Sequence, residues 1–258
     1  MNSPMDTSFD TGLPLGRLLA LAMAGFLAIM TEALPAGLLP QIGTGLAVSE
    51  AMAGQMVTLY ALGSVLAAIP VVAATRGLRR RPLFMAAVGG LLLFNSLTAL
   101  SGHYGLTLAA RFAAGMAAGV IWGLVAGYAR RMVPPHLQGR ALAVAGVGQP
   151  LALAAGVPLG AWLGSLFDWR GVFWALSALC LLLLAWVRLG VPDYAGQTAQ
   201  QRLPVARILL MPGVRPVLLA LFGWMLAHNM LYTFIAPFLA SAGLGQRVDG
   251  VLLLFGLA

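Results

Sequence analysis

The sequence predicts an all-α polytopic membrane protein, and three observations carry that expectation. The 258 residues are 60% hydrophobic and only 9% charged, with a mean hydropathy of +0.92, whereas ordinary soluble domains carry about 25% charged residues. Apolar windows of about 20 residues, the length that crosses a bilayer core, recur along the whole chain. Behind Arg111, glycine falls at every fourth position: Gly115, Gly119, Gly123 and Gly127. Four glycines would weaken a helix in water by roughly 1 kcal/mol each. In lipid the same ladder clears one face for a neighbouring helix.

The apolar windows run over 16–39, 51–74, 83–101, 104–129, 141–165, 170–190 and 214–240, and an eighth begins at 248. Residues 1–15 hold Asp6 and Asp10 and no basic residue, which is not the pattern of a cleavable signal. All fifteen basic residues are arginine. Those in gaps concentrate after segments two, four and six, with Arg76, Arg79, Arg80 and Arg81 in the first of these gaps. Gaps after segments one, three, five and seven hold only Arg170 and Arg247. The positive-inside rule then places the N-terminus and the even-numbered gaps in the cytoplasm. Arginines distributed this way form no single basic face, so the net charge of +8 does not point to nucleic acid. Cys180 is the lone cysteine and sits in an apolar run, which excludes an intrachain disulfide.

Residues 191–213 form the longest polar stretch. The expected organisation is a six-helix N-terminal half (1–190), a cytoplasmic central loop (191–213), and the start of a second half (214–258). Residues 45–63 and 243–258 share a short pattern of Gly-Leu, an acidic residue, glycine and an aromatic, as a parallel repeat of two halves would produce. The chain stops inside an apolar run at Ala258, so the second half is expected to be truncated in helix eight.

Six of the segments contribute candidates. Segment one carries Glu32 and segment four carries Arg111, each seven residues from the outer end of its window. At 1.5 Å per residue both lie roughly 10 Å below the outer surface. Intramembrane charges are costly, about 2.5–3.5 kcal/mol each on the lenient scale, and usually face a wet cavity. Glu32 and Arg111 are therefore the proton-coupling candidates, expected to share a hydrated vestibule. Gln55 and Thr58 in segment two, Asn95 in three, Trp122 in four and Gln149 in five are candidates for the cavity wall. Segment five has small residues at Gly148, Ala152, Gly156, Gly160 and Gly164, a stripe suited to close crossing, with Pro158 expected to bend it. In segment seven Trp224, His228 and Tyr232 share one face, with Asn229 one residue along. No metal-ligand cluster and no nucleotide-binding motif occurs, so neither a metal, a cofactor nor an enzymatic role is expected.

Four stretches resemble the major facilitator superfamily, specifically its twelve-helix drug:proton antiporter branch near the sugar-efflux and arabinose-efflux-like members. They are MTEALPAGLLPQIGTGLAVSEAMAGQMVTLYALG (30–63), RFAAGMAAG (111–119), GVGQPLALAAGVPLGAWLGSLFDWRGVF (146–173) and HNMLYTFIAPFL (228–239). The third is similar to the family's glycine/proline antiporter motif of helix five, and it is followed by the family's Trp-Arg-x-x-Phe pattern. One motif departs: the loop after helix two reads VVAATRGLRRRPL (71–83), with Thr75 where the family has an aspartate. The resemblance implies a gating role for Arg76, Arg79 and Arg80; without the aspartate that charge latch is in question, and the alternative is that the arginines serve only topology and anionic lipid. The resemblance implies a secondary transporter in a bacterial inner membrane, exporting a small organic solute (drug, sugar or related metabolite) in exchange for protons. Its partners would be the lipid bilayer, the solute and protons, with no nucleic acid. The competing reading is a non-transporting fragment or subunit of such a transporter.

Overall fold

A computed structural model describes residues 12–198, 200, 204–241 and 243. Among them lie six helices long and apolar enough to cross a membrane, and no strand. Span one is Leu15–Leu46, two Glu50–Ala74, three Arg80–Leu100, four Tyr104–Arg131, five Pro135–Gly164 and six Trp169–Gly190. Chain contacts divide the molecule into two units, Met1–Thr198 and Ala199–Ala258. In the second unit Val205–Leu209 and Val214–Ser241 are helical. The apolar run from 248 lies outside the described residues.

Large apolar side chains stand outward, among them Val65 (71% exposed), Phe167 (76%) and Leu189 (86%). That distribution is untenable for a monomer in water and correct for helices surrounded by hydrocarbon, where only internally bonded backbone can span. The buried contacts are made by one face of each helix. Span one packs on spans four, five and six, span two runs along span four, and span three lies against four and six.

Glycine decides two of these contacts. Gly115 and Gly119 of span four lie against the backbone of span two, so a Cβ at either would strike the Tyr60 or Ser64 carbonyl oxygen. Gly148 of span five lies against the Ala22 carbonyl of span one in the same way. Further along span five, Gly156, Gly160 and Gly164 meet side chains of span one instead: Met30, Leu34 and Leu38. The stripe thus binds span five to span one.

Prolines shape both of those helices. Span one does not end near residue 39. A 3₁₀ turn at Leu34–Leu38 takes up Pro35, and the helix resumes as Leu39–Leu46 with Pro40 in its first turn, where no N–H is needed. Ala47, in the left-handed region at φ 54°, closes it. In span five a π turn at Ala152–Gly156 ends two residues before Pro158. Pro158 has no N–H for the carbonyl four residues back and its ring crowds it, and the widened turn accommodates both. Where the sequence predicts a bend, the helix shows this local widening.

Candidate site around a buried arginine

Arg111 is fully buried within span four. Its guanidinium lies 5.2 Å from the centroid of the Tyr60 ring (span two) and 5.1 Å from that of Phe173 (span six). Both separations are within cation–π range. Nη1 donates to the Thr31 carbonyl of span one at 3.2 Å. That carbonyl is available because its usual helical donor would be the N–H of residue 35, and Pro35 has none. The Leu34 N–H is already committed to Met30. Proline in one helix therefore creates the acceptor that arginine in another requires.

The surrounding groups hold this junction in place. Tyr60 Oη–H donates to the Ala28 carbonyl at 2.8 Å, and Asn95 Nδ2 donates to Thr31 Oγ1 at 3.0 Å. The Ser96 hydroxyl bonds the Ser177 hydroxyl at 3.0 Å, tying span three to span six. Arg111 Nε and Nη2 and Asn95 Oδ1 are buried without hydrogen-bond partners. Unsatisfied groups of this kind are uncommon, and leaving one costs about 1–3 kcal/mol or more. Glu32, half-buried, follows Thr31 directly and lies within electrostatic reach of Arg111. The structure thus brings Glu32, Arg111 and Asn95 to one level of the bundle.

Other candidates lie elsewhere. Arg111 does not open onto a hydrated vestibule: Tyr60 and Phe173 enclose it, and the same enclosure rules out snorkelling towards headgroups. Asn95 is fully buried between helices rather than on an exposed wall. Gln55, Thr58 and Gln149 are exposed, and Trp122 is half-buried against Gly25. Glu32 lies about twice as far from the end of its span as the sequence implied, because span one continues to Leu46. In the second unit Trp224 is 61% exposed; the side chains of His228, Asn229 and Tyr232 lie outside the described residues. Sequence reasoning missed Thr31 and Tyr60 entirely. Phe173 stood in a recognised pattern without a role. The signal for Thr31 was present, four residues before a proline.

At the arginine-rich end, a carboxylate is supplied to the loop from another part of the chain. Thr75 turns its hydroxyl back onto the Val71 carbonyl at 2.6 Å. Asp193, beyond span six, pairs with Arg79 Nε at 2.6 Å and accepts the Arg81 backbone N–H at 3.0 Å. Residues on either side of it are fastened to the ends of spans two, three and four. The Arg80 N–H donates to the Tyr194 carbonyl (2.9 Å) and the Gln197 N–H to the Arg76 carbonyl (2.8 Å). Tyr128 Oη–H donates to the Pro192 carbonyl (2.6 Å) and Arg131 Nη1 to the Ala195 carbonyl (2.7 Å). Residues 191–198 therefore form a strap rather than the start of a loose loop.

Desolvation pushes the Asp193 carboxyl upward, but the Arg81 N–H and the Arg79 and Arg81 charges outweigh it and hold the group below its ordinary range. With the folded value depressed, its stabilisation is complete above the unfolded pKa and is lost as pH falls through the folded one. Arg79 is 73% exposed, so the pair is worth less than about 1 kcal/mol. Amide exchange across 191–198 is expected to rise by up to about fivefold in Asp193→Asn at neutral pH. As pH falls through the native Asp193 pKa, the protection factors of the native strap should drop towards those of the variant, whose own protection should not change. Equal protection of native protein and variant at neutral pH would refute this.

A bundle of apolar spans with a buried, partnered arginine defines a multi-pass α-helical membrane protein. The Major Facilitator Superfamily profile matches residues 21–258, and the chain belongs to that superfamily. It is 33% identical over 246 residues to the transcription regulatory protein OpdE of Pseudomonas aeruginosa, covering 93% of this chain and 61% of that protein. It is also 33% identical over 234 residues to the purine ribonucleoside efflux pump NepI of Escherichia coli O157:H7, covering 89% and 59%. The chain thus spans about three-fifths of the length of these relatives. Among solved structures, the xylose transporter XylE from E. coli in a partially occluded inward-open conformation is similar, with TM-score 0.57, 18% identity, and coverage of 94% and 62%. A peptide transporter, POT, in complex with alafosfalin is similar at TM-score 0.60 and 13% identity, with coverage of 97% and 53%. At such identities the likeness is one of fold.

Proposed function

We propose that this protein serves a secondary active transporter that exports a small organic solute in exchange for protons by alternating access. The observation that carries the reading is Arg111, buried against the Thr31 carbonyl with Glu32 next in sequence. A half-buried carboxylate beside a fixed guanidinium can exchange a proton while its cationic neighbour stays charged, since arginine does not titrate at physiological pH. Protonation removes the attraction between them, which gives a proton leverage over the relation of span one to span four. The clustered arginines support placing their end at the cytoplasm, with the N-terminus on the same side. A bacterial inner membrane is the setting that the relatives support. Similarity to a purine ribonucleoside efflux pump makes purine ribonucleosides the first solutes to test.

The test uses the full-length protein in vesicles with an imposed pH gradient. Gradient-dependent movement of labelled purine ribonucleoside is expected for the native protein and lost in Glu32→Gln, which keeps shape and removes the titratable group. Solute movement that persists in Glu32→Gln with the same pH dependence would remove Glu32 from the coupling step.

A further inference from the structure

The glycine ladder of span four extends one step further than its contact with span two. A Cβ at Gly115, Gly119 or Gly123 would strike the Tyr60 backbone, the Ser64 backbone or the Val72 side chain, respectively. At Gly127 a Cβ would meet nothing within 4 Å. The helices have parted there, and a cavity of about 190 Å³ lies between them, walled by Val72, Leu124 and Tyr128. A single water needs roughly 10–15 Å³, so this space suits a group of several heavy atoms.

Three arginines line the cavity: Arg76 just beyond span two, Arg80 at the start of three and Arg131 at the end of four. Among the described residues its lining includes no carboxylate, and the nearby Asp193 is engaged by Arg79 and Arg81. Arg80 and Arg131 lie close enough to repel one another. Each places one nitrogen on a backbone carbonyl, of Arg76 and Ala195 respectively, and makes no other side-chain hydrogen bond among the described residues. Like charges gathered around a recess stabilise a bound anion and are in turn stabilised by it. A planar carboxylate offers two oxygens, whereas a phosphate offers a tetrahedral set that can accept guanidinium forks from several directions.

We propose that this cavity is a binding site for a phosphate-class anion, either a phospholipid headgroup or free phosphate, held by Arg76, Arg80 and Arg131 above the open face of Gly127. Occupancy would bridge spans two, three and four at the point where the strap already fastens them. A large side chain at Gly127 would fill the site.

Full-length protein in phosphatidylcholine nanodiscs containing a minor fraction of phosphatidic acid should retain phosphatidic acid by native mass spectrometry if the source is lipid. In pure phosphatidylcholine discs it should bind radiolabelled orthophosphate if the source is the free anion. Whichever probe binds, Arg80→Gln/Arg131→Gln is expected to weaken it about tenfold or more, as the loss of charge-assisted bonds implies. Gly127→Phe, which removes no charge, should weaken it comparably. Arg140→Gln/Arg188→Gln, which removes two exposed arginines elsewhere, should leave it unchanged. Failure of both probes on native protein would overturn the proposal. So would an equal loss in the control pair, or undiminished binding by Gly127→Phe, since either assigns the effect to general surface charge.

Discussion

If the proposed proton-coupled exchange holds, Arg111→Lys is expected to reduce gradient-driven solute movement by about a hundredfold while the protein remains in the membrane. The positive charge survives this change, so simple electrostatics predicts little effect. Geometry predicts a large one. The guanidinium plane sits between the Tyr60 and Phe173 rings and still reaches the Thr31 carbonyl. Two ring contacts at about 1 kcal/mol each and one charged hydrogen bond at about 2 kcal/mol describe the arrangement. An ammonium is a compact, strongly hydrated point charge that cannot fill the same slot. Losing about 3 of those 4 kcal/mol corresponds to roughly a hundredfold. Pro35→Ala addresses the same bond from the other side, because an alanine N–H would compete for the Thr31 carbonyl. Its effect should be smaller, about tenfold or less, and should appear as a displaced pH profile. Native-like gradient dependence in Arg111→Lys would show that the fork and its two rings are dispensable.

Gly148→Leu is expected to destabilise the bundle by more than about 3 kcal/mol, seen as loss of a monodisperse folded species and a collapse of the thermal midpoint. Overpacking typically costs 1–3 kcal/mol when flexible side chains can yield. Here the first atoms encountered are the Ala22 carbonyl oxygen and the Phe26 nitrogen, both main chain and both fixed by the helix they belong to. Gly89→Ala supplies the contrast: nothing lies within 4 Å of its added Cβ, so the change should be neutral or stabilising by up to about 1 kcal/mol. Similar midpoints for the two variants would mean that spans one and five do not approach as described.

Hydropathy made most of the architecture legible, because a bilayer imposes length and apolarity on each span directly. It misplaced the end of span one, since Pro40 looks like a terminator until Leu34–Leu38 supplies a turn that makes residue 40 a beginning. The glycine ladders were readable as close-packing faces, but not which helix each would meet: span two for Gly115, span one for Gly148. Arg111 and Glu32 stood out because charge in an apolar window is conspicuous. Their neighbours did not, because Tyr60 and Phe173 are ordinary residues of apolar helices and acquire meaning only when three spans converge. Asp193 was hidden for a related reason. A carboxylate in a polar stretch looks like solvent-exposed loop, and only the fold carries it across to the basic turn that lacks its own aspartate.

The backbone-to-backbone contacts restrict how this half of the molecule can deform. Spans two and four touch through main-chain atoms, and so do spans one and five, whereas spans three and six are joined by the Ser96 and Ser177 side chains. Side chains can exchange rotamers and let two cylinders slide past each other; carbonyl groups pressed against bare Cα atoms cannot. Each glycine-sealed couple should therefore travel as a single welded piece, leaving shear to the rotamer-lined seam between spans three and six.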